Sequence, residues 1–224
     1  DLPAPDIFFG NDKMEVTDTD IYKSDQAFTQ GQMITVTGID NLNEWWIDPD
    51  FFEKQSDGAL KFLPINGDYR VTANAVLKYF SVMALKDGKP AKLQDDGTGA
   101  IWAIGKGIGK PSVASSEVGW EPGKALCLAQ VAPKKYQLTL KAGETLKTSG
   151  DPEVISFKFF HQNDWGGEFG NYASSILVEQ LKLADSGNLE MQDNKAFEEG
   201  GVYRFTIDVT NGNANADLKV EKIN

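Results

Sequence analysis

The chain has 224 residues, with 33 acidic and 22 basic side chains and a net charge of −11 at pH 7. Its length fits one or two domains. The acidic balance argues against binding duplex nucleic acid or docking on anionic lipid, since both need a basic surface. One histidine and one cysteine exclude a zinc finger, an iron–sulfur cluster and an internal disulfide. We therefore expect no cofactor and no metal site, and no apolar run is long enough for a membrane-spanning helix.

The first six residues, Asp-Leu-Pro-Ala-Pro-Asp, have neither the basic nor the apolar part of a signal peptide. A signal peptide, if the protein has one, precedes residue 1. An opening rich in Pro and Asp is typical of a tether to a membrane anchor and equally of a disordered tail. Both interpretations stay open.

Alternation of apolar and polar residues predicts β-strands along most of the chain. The predicted strands are residues 33–37, 69–79, 101–104, 136–140, 155–160, 203–209 and 218–220. Turn signals separate them at Asn66-Gly67, Asp87-Gly88, Asp96-Gly97, Ser149-Gly150, Ser186-Gly187 and Asn211-Gly212.

Helix signals are weak by comparison. Residues 48–54 predict one capped turn, with Asp48 as the N-cap and Pro49 at the first position. Residues 174–183 fit either a short helix or an edge strand. Many short strands with frequent Gly turns predict an all-β fold of two β-sandwich domains, immunoglobulin-like or like a carbohydrate-binding module.

A polar segment rich in Gly, Asp and Lys at residues 86–99 predicts the domain boundary. It gives an N-terminal immunoglobulin-like domain at 1–97 and a second β-sandwich domain at 98–224. A short internal repeat relates the two, since Gly67-Asp-Tyr-Arg-Val-Thr resembles Gly201-Val-Tyr-Arg-Phe-Thr. A Tyr at this position is typical of a sandwich corner, where its hydroxyl bonds to an upstream backbone group.

The motifs of common enzymes are incomplete. Residues 105–110, Gly-Lys-Gly-Ile-Gly-Lys, lack the spacing of a P-loop and of a dinucleotide fingerprint, and predict a flexible loop that leaves a strand. No Gly-x-Ser-x-Gly elbow is present. Cys127 has apolar neighbours and is expected to be a buried thiol. His161 fits a structural side chain better than a ligand contact.

Carboxylates are plentiful, so a glycosidase has to be considered. The acid pairs that could serve are Asp164 with Glu168 and Asp48 with Asp50, but nothing in the sequence places either pair at one site. We therefore predict no catalytic residue.

Three aromatic residues, Trp120, Trp165 and Phe169, lie in polar, Gly-rich segments that predict surface loops. A flat aromatic face flanked by amides and acids suits a sugar ring, whose C–H groups stack on the ring while its hydroxyls bond to the polar side chains. Trp102 alternates with core-like residues and is expected to pack inside. One face of the Trp45-Trp46 pair is expected to be core.

An ordered set of motifs runs through the second half of the chain. These are Ile101 to Gly105, Gly119-Trp120, Tyr136 to Gly143, Ile155 to Phe159, Asp164-Trp165-Gly166, Phe169-Gly170, Asn188-Leu189 and Gly201 to Asp208. Over residues 99–224 the chain thereby resembles the glycan-binding modules of SusE/SusF-like outer-membrane lipoproteins from Bacteroidetes polysaccharide-utilisation systems. The first half resembles the β-sandwich domain that precedes such modules.

This resemblance implies a non-catalytic binder of oligosaccharide or polysaccharide, starch or another. The protein would sit at the cell surface, anchored in the outer membrane through a lipidated Cys upstream of residue 1. Its partners would be the glycan and an outer-membrane glycan transporter complex. By match to the family, the ligand-binding residues are Trp120, Trp165, Lys158, Asn163, Asp164, Phe169 and Asn171.

Two alternatives stay open. The chain could be a structural or protein-interaction module of the uptake complex, whose aromatic loops contact the transporter and not sugar. It could also be a degenerate glycosidase-associated domain. The exposure of Trp120 and Trp165 separates the first two interpretations, because a sugar platform needs accessible rings.

Overall fold

A computed structural model describes residues 3–149 and 154–224 of the chain. The fold is all-β, with several sheets. The chain divides into two compact units, Asp1–Lys89 and Pro90–Asn224, at a point inside the segment 86–99. The predicted turn at Ser149-Gly150 lies partly outside the described residues, which stop at 149 and resume at 154. In the part of the chain that the structure describes, no helix has the length and apolar character needed to cross a membrane.

The first unit contains three sheets. Their strand orders are β2-β1-β6, β11-β10-β9-β4-β3 and β5-β8-β7. The strands are β1 (Phe8–Phe9), β2 (Asp12–Lys13), β3 (Glu15–Asp18), β4 (Ile21–Phe28), β5 (Met33–Ile34), β6 (Val36–Thr37), β7 (Phe52–Lys54), β8 (Leu60–Phe62), β9 (Gly67–Asn74), β10 (Tyr79–Lys86) and β11 (Lys89–Pro90). A 3₁₀ helix covers Leu42–Glu44.

Aromatic contacts centred on Phe9 join these three sheets. The Phe9 ring lies 6.0 Å from Phe28, 5.8 Å from Phe52 and 5.2 Å from Phe80, in edge-to-face arrangements. Edge-to-face rings at such spacing gain energy beyond the area that they bury. Trp45 is buried against Phe80, whereas Trp46 is half-buried, which confirms that one face of the Trp pair is core.

The predicted strand at residues 69–79 is confirmed for residues 69–74 and wrong beyond them, because a turn follows Asn74. Strand β9 ends at Asn74 and β10 begins at Tyr79, and the two pair antiparallel as a hairpin. The Asn74 side-chain oxygen accepts hydrogen bonds from the backbone N–H groups of Val76 and Leu77. A side-chain acceptor of this kind stabilises a turn. The alternation of apolar and polar residues in the sequence runs across this turn, so alternation alone does not show where β9 ends.

The internal repeat has a structural counterpart. The Tyr69 hydroxyl donates to the backbone oxygen of Ile65 at 2.7 Å, as predicted for a corner tyrosine. Tyr203 is equally buried at the start of its strand. In both motifs the tyrosine ring lies against the preceding glycine, Gly67 or Gly201, where a Cβ would be 3.4 or 3.0 Å from the ring.

The second unit contains two sheets. Their orders are β13-β12-β17-β20-β19, with β14 also on β12, and β15-β16-β21-β22-β18. The strands are β12 (Trp102–Gly109), β13 (Glu117–Gly119), β14 (Leu126–Cys127), β15 (Ala129–Ala132), β16 (Lys135–Lys141), β17 (Ser156–Phe160), β18 (Ser174–Ile176), β19 (Leu181–Leu183), β20 (Leu189–Met191), β21 (Val202–Asp208) and β22 (Asp217–Lys222). Helix α1 covers Val113–Ser116, and 3₁₀ helices cover Pro122–Lys124 and Asn213–Asn215.

The core of this unit lies where the two sheets contribute side chains to one cluster. The Phe205 ring of β21 lies 5.5 Å from Phe157 and 6.4 Å from Phe159, both on β17 of the other sheet. Because successive side chains of a strand point to opposite faces, Lys158 and Phe160 lie on the other face of β17. That face carries the site described below.

Other expectations for this unit have clear outcomes. Trp102 is buried and donates its indole N–H to the backbone oxygen of Ala91 at 3.0 Å. Cys127 is buried. Both predictions are confirmed. Residues 174–183 hold two short strands, β18 and β19, so the strand alternative is right for this segment.

The glycine-rich segment at 105–110 is not a flexible loop, because Gly105 to Gly109 form the second half of strand β12. A Cβ on Gly105 would lie 2.4 Å from the Cα of Phe157 on the paired strand, and the Gly105 φ is +143°. Glycine is therefore required here by close approach of two backbones. The prediction of a flexible loop at residues 105–110 is therefore wrong for Gly105 to Gly109.

We predict that Gly105→Ala lowers the free energy of unfolding by about 1–3 kcal/mol, because the added methyl forces β12 and β17 apart. Chemical denaturation followed by tryptophan fluorescence measures the change. Gly123→Ala is the matched control: a Cβ there meets no atom within 4 Å, so the expected change is within about 0.5 kcal/mol. Equal stability of the two variants would contradict the close-approach explanation.

Candidate functional site

A loop at residues 161–167 doubles back along the end of β17. The backbone N–H of His161 donates to the oxygen of Gly167 at 2.6 Å, and that of Phe169 donates to the oxygen of Phe159 at 3.0 Å. A Cβ on Gly167 would lie 2.9 Å from the Cβ of His161, and its φ is +65°. Glycine thus allows the tight return, which brings the loop over the outer face of β17.

Trp165 lies on this loop with 48% of its surface exposed. Its ring stacks on that of Trp120, with 6.2 Å between the centroids and 26° between the planes. The Trp165 ring also packs edge-to-face on Phe160, at 5.9 Å and 70°. Trp120 is half-buried and packs against the hydrophobic core. The structure therefore brings together the two predicted platform residues from segments 45 positions apart, and Trp165 is accessible.

Polar groups fix the main chain around Trp165. The Asp164 side chain accepts from the Trp165 N–H at 2.7 Å. The Gln162 amide donates to the Trp165 backbone oxygen. Asn163 is half-buried and Asp164 is exposed. Of the predicted polar ligand residues, Asp164 thus holds the backbone of Trp165, and Asn163 precedes it on the same loop.

Lys158 lies beneath this loop and is not a free ligand contact. All five residues of β17 are buried. The Lys158 side chain is 10% exposed, and its Nζ lies 2.6 Å from Oε2 of Glu168, whose side chain is 46% exposed. Prediction from strand alternation placed Lys158 opposite Phe157 and Phe159 correctly, but the loop covers that face. The ammonium therefore binds a carboxylate of the protein itself.

Removal of Glu168 tests this pair. Glu168→Ala leaves a mostly buried ammonium without its partner, so we expect the free energy of unfolding to fall by about 1–2 kcal/mol. Lys158→Met should cost less, and adding Glu168→Ala to Lys158→Met should change little further. Denaturant unfolding of the four proteins gives the coupling energy.

The control for this cycle is Glu121→Ala, which breaks the exposed pair between Glu121 and Lys124. An exposed pair contributes about 0–1 kcal/mol. If Glu168→Ala costs no more than Glu121→Ala, the Lys158–Glu168 pair does not hold the loop.

Phe169 differs from its predicted role, since it is only 2% exposed and belongs to the core of the second unit. Its ring contacts the His161 imidazole edge-to-face at 4.5 Å and stacks on Tyr172 at 5.7 Å and 5°. A buried ring offers no free face to a sugar, because its stacking surface already meets protein. Phe169 instead supports the His161 and Tyr172 rings, whereas Asn171 is exposed.

Burial lowers the pKa of His161 from its ordinary value of 6.5. The unfolded chain therefore binds more protons than the folded chain as the pH falls below about 7. We expect the free energy of unfolding to be higher at pH 7.5 than at pH 5.5, and the slope between these values to be smaller in His161→Gln. Imidazole NMR signals of this single histidine should titrate with a midpoint below 6.5. A midpoint above 6.5 would contradict the burial argument.

A cavity of about 420 Å³ opens beside Glu168 and Phe169. Its polar lining is Asp95, His161, Glu168, Asn171 and Asn213. Of these residues, Asn171 alone belongs to the ligand-binding set that the family resemblance implies. Sequence reasoning missed Asp95 and Asn213, because no motif marks them and only the fold brings them to residues 161–171.

The carboxylates considered for glycosidase chemistry accept hydrogen bonds from other groups of the protein. In the first unit, the Asp48 carboxylate is buried and accepts from the Asp50 N–H at 3.0 Å. In the second, Asp164 bonds the Trp165 N–H and Glu168 bonds Lys158. Over residues 3–149 and 154–224 no group of three or more His, Cys, Asp or Glu side chains could hold a metal ion.

Residues 96–210 match the family model described as Domain of unknown function (DUF5121). The chain belongs to this family. Residues 3–93 match a second model, described as Domain of unknown function (DUF5125). All seven predicted ligand residues lie inside the DUF5121 match. No curated protein matches the chain.

Proposed function

We propose that this DUF5121 protein is a non-catalytic glycan-binding protein whose second unit binds a sugar ring on the Trp120–Trp165 platform. The observation that carries the proposal is the half-exposed Trp165 ring, held on a polar loop and stacked on Trp120. Tryptophan is enriched at interfaces, where its large apolar ring meets a partner while its polar edge reaches water. Their stacking on one another also keeps both rings in place before a ligand arrives.

Polar groups around the platform suit hydroxyls. Asn163 and Asp164 lie next to Trp165 in sequence, and Asp164 keeps a second carboxylate oxygen for a ligand while its first bonds the Trp165 N–H. A neutral glycan carries hydroxyl donors for such acceptors. With a net charge of −11 the protein is poorly suited to an anionic polymer. Binding should therefore depend little on salt.

Several wider features belong to the same proposal and derive from the resemblance to SusE/SusF-like lipoproteins. These are capture of starch or another polysaccharide at the cell surface, a lipid anchor in the outer membrane upstream of residue 1, and association with a glycan transporter complex. Two β-sandwich domains, each immunoglobulin-like or like a carbohydrate-binding module, also belong here. Contacts of Phe205 with Phe157 and Phe159 support face-to-face sheets in the second unit.

A protein-interaction role is the second candidate, and one observation favours it. Strand β18 is the edge of its sheet and pairs parallel with β22. Ile176 on this strand is 62% exposed. An exposed edge strand with an apolar side chain can pair with a strand of another protein. In that case the partner would be protein, and the Trp platform would not be needed for binding.

Affinity electrophoresis through gels containing soluble starch, galactomannan, xyloglucan or mixed-linkage β-glucan tests the main proposal. We expect at least one polymer to retard the protein. Trp165→Ala should reduce the retardation, because losing a central aromatic contact costs about 2 kcal/mol of binding free energy. That loss corresponds to a roughly thirtyfold higher dissociation constant for the polymer. Trp120→Ala should have a similar effect, since Trp165 loses the ring on which it stacks.

Trp46→Ala is the matched control, because Trp46 is also a half-buried tryptophan but lies in the first unit. Melting curves show whether each variant stays folded. If folded Trp120→Ala and Trp165→Ala variants bind as well as the parent, the platform is not the site. Loss of binding only in Trp46→Ala would place the site in the first unit.

A further inference from the structure

Strand β18 forms an open edge of the second unit. The strands that end its two sheets are β13, β15, β18 and β19. In the other three, β13 contains Glu117, β19 contains Lys182, and β15 is followed by Pro133, and all their residues apart from these flanks are buried or half-buried. All three residues of β18 are exposed, and residues 169–178 carry neither a charge nor a proline. Charge and proline on an edge strand prevent pairing with other chains, so β18 is available to a partner strand.

The row of side chains that leads to this edge has more negative than positive charge. Asp208 of β21 lies directly opposite Asp217 of β22, so two like charges face each other. Lys135 of β16 lies opposite Asp208 and offsets one of them. Ser174 of β18 completes the row, and its hydroxyl donates to Oδ1 of Asp217 at 2.9 Å. The Asp217 carboxylate therefore points toward the open edge, where a basic group would balance the row.

The next side chain on the same face of β18 is that of Ile176, two positions along the strand, and it is 62% exposed. Its neighbour in the ladder is Lys219 of β22, whose ammonium lies 3.1 Å from a carboxylate oxygen of Glu221. The Lys219 charge is thus offset by its own strand. A strand laid along β18 would place one residue beside Ser174 and another, two positions away, beside the apolar Ile176 side chain.

We propose that β18 docks an extended segment of a partner protein, which adds a strand to the sheet and carries a lysine or arginine opposite Ser174 and an apolar residue opposite Ile176. Because serine is short, a long basic side chain passes over it to the Asp217 carboxylate. Main-chain hydrogen bonds give affinity, and the two side chains give selectivity. A second copy of the chain fits less well, since its own β18 is Ser-Ser-Ile and offers no base. The proposal rests on the protein-interaction role, the second candidate above, and is independent of sugar binding at the Trp platform.

The test uses NMR of the isotope-labelled intact chain with the peptide Thr-Val-Thr-Arg-Thr-Val-Thr, whose ends are blocked. A valine lies two positions from the arginine on both sides, so the peptide presents the required pair in either strand direction. We expect the backbone amide signals of residues 174–176 to shift in a saturable way. The same peptide with Glu in place of Arg should bind at least about tenfold more weakly, because attraction to Asp217 becomes repulsion.

Two variants of the protein test the two contacts separately. Ile176→Lys should weaken binding of the arginine peptide, since it removes the apolar contact and adds a like charge. Val76→Lys, at a 67% exposed position in the first unit, is the matched control and should bind like the parent. Asp217→Asn keeps an acceptor for Ser174 and should abolish the preference for the arginine peptide over the glutamate peptide. Its melting temperature should not fall, because the substitution also removes the charge that faces Asp208.

The outcomes distinguish this inference from glycan binding. It is overturned if the arginine peptide leaves the signals of residues 174–176 in place, if the glutamate peptide binds equally well, or if Ile176→Lys binds like the parent. Shifts of the same signals with protein concentration alone, together with a dimer in sedimentation, would identify a second copy as the occupant and also overturn it. Trp165→Ala should leave the peptide response intact, and Ile176→Lys should leave polysaccharide retardation intact. Retardation without peptide binding leaves the glycan proposal standing alone, and the reverse result leaves only the docking edge.

Discussion

A buried lysine, Lys158, determines the course of the chain after strand β17 in the second unit. Lys158 lies in a strand that is buried on both faces, so its ammonium needs a counter-charge inside the protein. Glu168 supplies it at 2.6 Å, ten residues later in the chain. To reach that position the chain must return along β17, and the bond from His161 to Gly167 closes the loop. The position of Trp165 over Phe160 follows from this return.

The same ion pair lies beneath the stacked rings of Trp120 and Trp165. In the proposed function these rings offer apolar area to the C–H face of a sugar. The loop that carries Trp165 is held at both ends, so the proposed site is formed before a ligand arrives and little free energy is lost in ordering it.

The sequence was sufficient to predict the all-β class, strands β16, β17, β21 and β22, and the exposure of Trp165 on a loop. These follow from period-2 alternation and from aromatic residues in Gly-rich loops. Sequence patterns did not predict the features that depend on contacts between segments far apart in the chain. Gly105 is a strand residue because Phe157 approaches it, and Lys158 is covered because Glu168 returns to it. Asn213 and Gln94 are 119 positions apart, so no local pattern could reveal their contact.

Fluorine NMR of the protein labelled with 5-fluorotryptophan tests the central claim most directly, because the chain has five tryptophans in different settings. Single substitutions assign the five signals. On addition of a polysaccharide that binds, the account predicts that the Trp120 and Trp165 signals move together and saturate together, while those of the buried Trp45 and Trp102 stay in place. Movement of the Trp46 signal alone, with Trp120 and Trp165 unchanged, would contradict it.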